Sequence, residues 1–156
     1  MSNSVLVLGG GIAGIQASLD LAESGSKVVL VEREATIGGI MAVLDKNFPT
    51  LDCSICIEAP KMSEVDLHDN IEILSLAELE SVSGVPGRFD VVIKQNARIL
   101  TEAWTRCADC PEVCPVACAN EYDSGMASRK AIYTPIPQSV PGPYLVDLES
   151  CLNEPP

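Results

Sequence analysis

The sequence predicts an α/β fold that opens with a strand, a helix and a second strand in direct succession. The first observation is an apolar run of β type at residues 4–8, followed at once by the glycine-rich segment Gly9–Gly14. The second is a helical spacing of apolar residues between Ile15 and Ala22. A further β-type run, Lys27 to Val31, completes a Rossmann-like βαβ unit.

The glycine-rich segment has the G-x-G-x-x-G spacing of a dinucleotide-binding turn. Gly9 permits the tight turn, Gly11 lets the backbone approach a pyrophosphate, and Gly14 lets the helix pack closely on the strand. Ile12 and Ala13 lie in the same segment, and the N–H groups and dipole of the helix N-terminus favour phosphate. The alternative is a glycine-rich loop that binds no nucleotide. The order of strand, helix, strand and acid favours an ADP-containing cofactor.

The residues after the second strand favour FAD over a nicotinamide. Glu32 stands where an acid accepts from the adenosine ribose hydroxyls, a position where an NADP enzyme more often has a base. Arg33 and the pair Gly38-Gly39 continue an E-R-x4-G-G pattern. This pattern resembles flavoproteins of the thioredoxin and glutathione reductase type, in which the paired glycines lie against the FAD phosphates. Ile40 stands where those proteins often have Arg or Lys.

The remainder of the first hundred residues predicts a mixture of short elements. These are a loop around Pro49, a helix over about residues 59–65, a strand over 71–74, and two β-type runs over about 79–82 and 89–93 with a turn at 85–87. Cys53 and Cys56 lie in the loop as a C-x-x-C pair. The pair is either a dithiol that exchanges electrons with a flavin, two ligands of a cluster, or two small buried apolar residues.

A second cysteine-rich stretch lies within one residue of the ferredoxin run C-x2-C-x2-C-x3-C-P. Cys107, Cys110, Cys114 and Pro115 match that run, but Trp104 stands at the position of its first cysteine. Cys118 can complete a C-x2-C-x3-C-x3-C set, or the missing ligands come from another chain or from sequence outside these residues. In the remaining alternative no cluster is bound, and the cysteines are free, zinc-bound or oxidised.

Composition limits the partners and the environment. The chain has 22 acidic and 10 basic residues and a formal charge of −12, which disfavours nucleic acid and anionic membrane surfaces. It has no apolar stretch of the ~20 residues that span a bilayer and no signal peptide. We therefore expect a soluble cytoplasmic protein without a membrane span. In that compartment its seven cysteines are better explained as metal or redox ligands than as structural disulfides.

Three long segments of the sequence resemble the A subunit of heterodisulfide reductase and its relatives. They are LDKNFPTLDCSICIEAPKMSEVDLHDNIEIL (residues 44–74), RCADCPEVCPV (106–116) and NEYDSGMASRKAIYTPIPQSVPGPYLVDLESC (120–151). The resemblance implies a thioredoxin-reductase-like FAD domain interrupted by an inserted ferredoxin domain. It also implies an oxidoreductase subunit in which FAD passes electrons to 4Fe–4S clusters. The implied partners are the other subunits of such a complex, with ferredoxin or hydrogenase-type electron donors.

The same resemblance predicts the domain organisation. Residues 1–96 correspond to the N-terminal half of the FAD domain, and residues 97–156 to part of the ferredoxin insert. Asp147 to Cys151 resembles the opening of a second cluster motif. By analogy with two-cluster ferredoxins, Cys107 and Cys110 belong to one cluster, and Cys114 and Cys151 to the other. The chain thus resembles the N-terminal part of a larger protein.

Two other functions remain open from sequence. One is a thioredoxin-reductase-like enzyme in which Cys53 and Cys56 cycle as a disulfide. The other is a non-catalytic remnant that docks to partner subunits, through the proline-rich segment Pro135–Pro143. No residue is predicted as a catalytic acid, base or nucleophile.

Overall fold

A computed structural model describes residues 4–100, 107 and 109–152. Trp104, the departure from the ferredoxin run, lies outside these residues. The chain divides into two compact units, Met1–Ala97 and Arg98–Pro156. In chain order the first unit contains β1 (Ser4–Leu8), α1 (Ile12–Glu23), β2 (Lys27–Val31), a 3-10 helix (Met41–Val43), β3 (Lys46–Asn47), β4 (Asp52–Cys53), α2 (Ser54–Leu67), β5 (Ile71–Leu74), β6 (Ala77–Val85) and β7 (Arg88–Gln95).

The first unit is built on a parallel sheet in the order β1-β2-β5. Leu8 is in register with Val31, and Val31 with Leu74, so the three strands end at the same edge. The predicted α/β class is confirmed. In open α/β sheets this carboxyl edge is where ligands bind, because the loops and helix N-termini converge there. The glycine-rich turn follows β1 and Glu32 follows β2, which places both at this edge.

Helix α1 buries the face that its spacing predicts. Ile15, Leu19 and Ala22 are nearly inaccessible to solvent, as are Val28 and Leu30 of β2. Helix α1 lies close to the glycine-rich turn after β1 at Gly14, where an added Cβ would lie 1.9 Å from the carbonyl oxygen of Gly9. Any side chain there would collide with main chain that cannot rotate away. Glycine is therefore required by packing.

Helix α2 begins at Ser54, five residues before the predicted start at Ala59, and is the main correction to the sequence analysis. The C-x-x-C pair thus lies at a helix N-terminus and not in a loop. Cys53 is the N-cap, and its sulfur accepts from the N–H of Cys56 at 3.3 Å. Pro60 lies inside the helix, where it removes one main-chain hydrogen bond. Because proline is unfavourable inside a helix, the sequence pattern did not predict that this helix extends back to Ser54.

Strands β6 and β7 form an antiparallel hairpin, as predicted, with Pro86 and Gly87 between them. Gly87 takes a φ of +87°, which a glycine adopts without strain. Several apolar side chains of the hairpin are exposed by half or more, namely those of Val82, Val85, Phe89 and Val92.

The second unit consists of short, irregular elements. They are α3 (Asp109–Val113), β8 (Ala117–Ala119), a 3-10 helix (Glu121–Asp123), β9 (Ser128–Lys130), β10 (Ile132–Tyr133) and β11 (Leu145–Val146). Antiparallel pairing joins β8 to β9 and β10 to β11. A small apolar core contains Ala131, Ile136, Val140 and Leu145. Within the described ranges, no helix is long and apolar enough to cross a membrane.

One carboxyl group of α2 is buried in the first unit. Glu58 has no exposed surface, and neither of its carboxyl oxygens has a hydrogen-bond partner among the described residues. Burial disfavours the charged form and raises the pKa of Glu58 from 4.5 to about 7. Between these two pH values the folded chain binds more protons than the unfolded chain. The free energy of unfolding therefore falls as pH rises through this window.

We expect E58Q to remove this pH dependence, because glutamine has a similar shape and never ionises. Between pH 5 and pH 8 the wild type should lose on the order of 3 kcal/mol of unfolding free energy through this group. Urea unfolding followed by far-UV circular dichroism at the two pH values measures the difference. E64Q, on an exposed face of the same helix, is the matched control. An equal pH slope in the wild type and E58Q would contradict the assignment.

Candidate functional site

The carboxyl edge of the parallel sheet carries the glycine-rich loop that the sequence predicts as a phosphate site. Gly9 has a φ of +99° and donates its N–H to the carbonyl of Val31 at 2.8 Å, which fixes the turn against β2. Gly11 is the N-cap of α1 and offers no side chain to the helix. The N–H groups of Ile12, Ala13 and Gly14 have no intrahelical acceptor by helix geometry, and the first turn holds no acid. A phosphate group satisfies these donors.

The second glycine pair lies against this loop. Gly38 donates its N–H to the carbonyl of Gly10 at 2.6 Å and forms a parallel bridge with Gly11. Gly39 has a φ of +57°, and an added Cβ would lie 3.2 Å from the Cα of Gly11. The structure therefore brings together five of the predicted cofactor residues. These are Gly9, Gly11, Gly14, Gly38 and Gly39.

The approach to Gly11 is open. A Cβ built on this residue meets no atom within 4 Å. Its φ of −75° is one that any amino acid adopts. Neither neighbouring atoms nor backbone strain explains a glycine here. A glycine here leaves space beside the main chain, as the predicted approach of a pyrophosphate would require.

Glu32 has a role that the sequence analysis missed. Its Oε2 accepts from the N–H of Gly10 at 2.6 Å, and its Oε1 accepts from the N–H of Glu34 at 2.8 Å. The carboxylate thus ties the glycine loop to the end of β2. A carboxylate has about four acceptor positions, so capacity remains for the predicted ribose hydroxyls. Arg33 is exposed, with its Nε 3.4 Å from Glu34 Oε1.

The C-x-x-C pair is a disulfide between Cys53 and Cys56. Cys56 is exposed and Cys53 is partly exposed, so the pair is not two buried apolar residues. Cys53 also lies in β4, where it is in register with Lys46 of β3. The main-chain N–H of the next residue, Ser54, donates to the carbonyl of Asp45 at 3.0 Å.

The cysteines predicted as metal ligands are free thiols in the second unit. Cys107 is exposed, and Cys110, Cys114, Cys118 and Cys151 are partly exposed. Hydrogen bonding with the main chain of Val116 is the largest cause that lowers the pKa of Cys114. Within residues 4–100, 107 and 109–152, no three Cys, His, Asp or Glu side chains converge on one metal position. The donor type fits an iron–sulfur cluster, but no complete ligand set is assembled here.

Arg129 organises the part of the second unit around Cys118. Its Nη1 donates to the sulfur of Cys118 at 3.1 Å, and its Nη2 donates to Asp147 Oδ2 at 3.1 Å. Its Nε donates to Glu121 Oε2 at 2.7 Å, which holds the pKa of that carboxyl below its usual value. The guanidinium lies 3.8 Å from the ring centre of Tyr133. No sequence motif marks this cluster, because its members are distant in the chain.

Known proteins are similar to this chain both at its start and over almost its whole length. Residues 4–45 match the family model described as FAD dependent oxidoreductase. Over 149 residues the chain is 54% identical to the first of two iron–sulfur A subunits of CoB–CoM heterodisulfide reductase from Methanopyrus kandleri. That match covers 95% of this chain and 22% of the relative. The resemblance to heterodisulfide reductase A subunits is thus confirmed over almost the whole of this chain.

A second relative shows a similar match, and one solved structure matches part of the chain. The chain is 48% identical to the A subunit of the H2:CoB–CoM heterodisulfide,ferredoxin reductase of Methanothermobacter marburgensis, over 98% of this chain and 23% of the relative. It thus spans about a fifth of the length of these relatives. A solved structure, L-proline dehydrogenase from P. horikoshii, matches 60% of this chain and 20% of its own, with 26% identity and a TM-score of 0.49.

We expect E32A to destabilise the flavin-free protein, because two main-chain N–H groups lose their charged acceptor. The expected loss is about 1–3 kcal/mol of unfolding free energy, chiefly because the part-buried N–H of Gly10 is left without its acceptor. E34A is the matched control, since the side chain of Glu34 is 69% exposed. Urea unfolding compares the two. If both variants unfold at the same urea concentration, Glu32 does not anchor the loop.

Proposed function

We propose that this chain is the flavin-binding and iron–sulfur part of an oxidoreductase subunit of the heterodisulfide reductase type. In this role FAD passes electrons to 4Fe–4S clusters held by cysteines of the second unit. The observation that carries the proposal is the glycine loop at Gly9–Gly14, with its unpaired helix N–H groups and the open approach at Gly11. The identity with the iron–sulfur A subunits supports it over almost the whole chain.

The residues of the first unit are suited to hold FAD by its diphosphate. The N–H groups of Ile12, Ala13 and Gly14 donate to phosphate oxygens, and Gly39 leaves its side of the loop free of a side chain. The remaining acceptor positions of Glu32 bind the ribose hydroxyls, while its present hydrogen bonds keep the loop in place. When bound, a flavin supplies chemistry that accepts electrons in pairs and releases them singly.

The second unit supplies thiolate ligands. We assign Cys107, Cys110, Cys114 and Cys151 to clusters, with the ligands that complete them contributed by sequence outside this stretch or by another chain. Cys118 is the alternative fourth ligand. Its sulfur already accepts from Arg129 and lies 3.9 Å from the carboxylate of Asp147. Because this sulfur is already engaged by Arg129, we rank Cys118 below the others.

The partners follow from the relatives. The Methanothermobacter marburgensis protein is named as part of an H2:CoB–CoM heterodisulfide,ferredoxin reductase. By analogy we propose that this chain works with other subunits of such a complex in the cytoplasm and exchanges electrons with ferredoxin or a hydrogenase-type donor. The formal charge of −12 requires any acidic partner to dock on a local basic patch.

Flavin binding is tested by anaerobic reconstitution of the whole chain with FAD, followed by gel filtration and an absorption spectrum. We expect one flavin per wild-type chain and a loss of affinity of about tenfold or more in G11A, whose methyl group would fill the phosphate space. An Ala in place of the N-cap Gly costs the helix at most about 1 kcal/mol, so G11A should still fold. Unfolding of flavin-free G11A checks this. Equal flavin binding by the folded variant would contradict the proposed site.

Iron content tests the ligand assignment. After anaerobic reconstitution with iron and sulfide, C110S should bind less iron than the wild type, because one of the two proposed clusters loses a ligand. C118S should bind as much iron as the wild type, because we place that sulfur beside Arg129 and outside the clusters. The paired serine variants change one sulfur atom each and serve as controls for one another. Iron loss in C118S equal to that in C110S would instead favour the four-cysteine set that includes Cys118.

A further inference from the structure

We propose that Cys53 and Cys56 form a redox-active pair that cycles between a disulfide and a dithiol, with reduced flavin as the electron source. Oxidised, the pair is the disulfide seen at the N-terminus of α2. The electron source rests on the proposed function, whereas the cycling of the pair is a property of α2 itself. The protein then contains a two-electron acceptor in addition to its flavin and clusters.

The position of the pair favours thiolate chemistry. Cys53 is the N-cap of a 14-residue helix and Cys56 is in its first turn, which contains no acid. A helix N-terminus stabilises negative charge, and low-pKa cysteines in C-x-x-C motifs commonly occur there. Cys53 is also in register with the basic residue Lys46 across β3 and β4. The helix N-terminus stabilises a sulfur anion, which is both the attacking and the leaving form in disulfide exchange.

The two cysteines differ in exposure. Cys56 is exposed, whereas Cys53 is partly covered and its sulfur accepts the N–H of Cys56. This asymmetry is suited to a pair in which one sulfur meets external thiols and the other resolves the mixed disulfide. Cys56 is therefore the sulfur that exchanges, and Cys53 is the sulfur that resolves.

Helix α2 connects the pair to the glycine site. Its buried face carries Ser54, Glu58, Met62 and Val65 in that order from the disulfide end. A Cβ on Gly38 would lie 3.1 Å from the sulfur of Met62 and 2.5 Å from Ala42 of the 3-10 helix. The same helix thus packs on the glycine turn of the proposed flavin site and holds the disulfide about two turns away, on the order of 10 Å along its axis.

A second observation on the same face concerns Glu58. Its carboxyl group is fully buried and without a partner among the described residues. Glu58 lies one turn after Ser54 on the buried face of the helix whose first turn holds the disulfide. A polar group kept unsatisfied in that position is costly for packing alone. Its presence indicates that this end of α2 is built for polar chemistry.

The reaction balances without another reagent. The bond between the sulfurs of Cys53 and Cys56 breaks, and both sulfurs end as thiols. The two electrons and two protons come from a reduced flavin, which is oxidised in the same step. Return to the disulfide by a partner disulfide transfers the two electrons and two protons to that partner.

The first test counts electrons in the whole chain reconstituted anaerobically with FAD and iron. Dithionite titration should require two electrons more per chain in the wild type than in C53S/C56S, since flavin and clusters are common to both. In parallel, acid-quenched samples are labelled with maleimide and mapped by peptide mass. Cys53 and Cys56 should not react with maleimide before reduction, because both sulfurs are in the disulfide. Both should be labelled once the flavin is reduced. Labelling before reduction, or blockage after full flavin reduction, would overturn the inference.

A flavin-free arm separates the two proposals. Excess dithiothreitol should reduce the pair in the folded chain, and its removal in air should restore the same disulfide. If no flavin binds, the proposed function fails while this arm still decides whether the pair cycles. A pair that resists dithiothreitol in the folded chain, or reoxidises to other cysteines, would refute the redox assignment.

The exposure difference supplies a matched pair of single variants. C53S leaves the exposed Cys56 free and should react with Ellman's reagent several-fold faster than C56S, which leaves the partly covered Cys53. The reaction of C53S/C56S with the reagent is subtracted from that of each single variant, which removes the contribution of the five cysteines of the second unit. Circular dichroism confirms that each variant retains its helix content. Equal rates, or faster reaction of C56S, would contradict the assigned roles of the two sulfurs.

Discussion

The peptide unit at Gly10 is the constraint on which the first unit depends. Its N–H is held by Glu32 at the end of β2, and its carbonyl accepts the N–H of Gly38 from the segment that follows. A Cβ on Gly10 would lie 2.7 Å from Ile37, so the unit also has no room for a side chain. Two hydrogen bonds and one close contact therefore join the loop after β1 to Glu32 and to the segment that follows it, 22 or more residues further along the chain.

This junction explains how one edge of a small sheet becomes a binding site. With Gly10 fixed, Gly11 faces open space and the first turn of α1 presents its N–H groups to that space. Gly38 at the same time packs against Met62 of α2. The orientation of α2, and with it the position of the Cys53–Cys56 disulfide, is thus linked through Gly38 to the phosphate loop. Cofactor loop and disulfide belong to one packed assembly.

The second unit is organised by charge rather than by an extensive core. Arg129 joins the 3-10 helix through Glu121, the turn before Cys151 through Asp147, and β8 through Cys118. Asp147 in turn accepts from the N–H groups of Glu149 and Ser150. Short elements with few buried side chains are held in this way around one guanidinium. Arg129 also makes Cys118 a less favourable ligand for iron, because its guanidinium already donates to that sulfur.

Local patterns predicted the parts of the fold that local interactions build. Strands β1, β2 and β5 begin and end where the apolar runs do, and α1 buries the face that its spacing indicates. Helix α2 escaped prediction at its start, because the cap is a cysteine sulfur and a proline lies inside the helix. Neither feature belongs to the usual signals for a helix start.

The sequence by itself determined the α/β class, the glycine positions of the loop and the cysteines available for redox chemistry, since each depends on residue type and short spacing. The tertiary structure alone decided that Glu32 holds Gly10, that Arg129 engages Cys118, and that Cys53 and Cys56 meet at the N-terminus of a helix that also carries a buried Glu58. These contacts join residues whose separation along the chain carries no periodic signal, or depend on where a helix begins. They become visible only when the main chain has been placed.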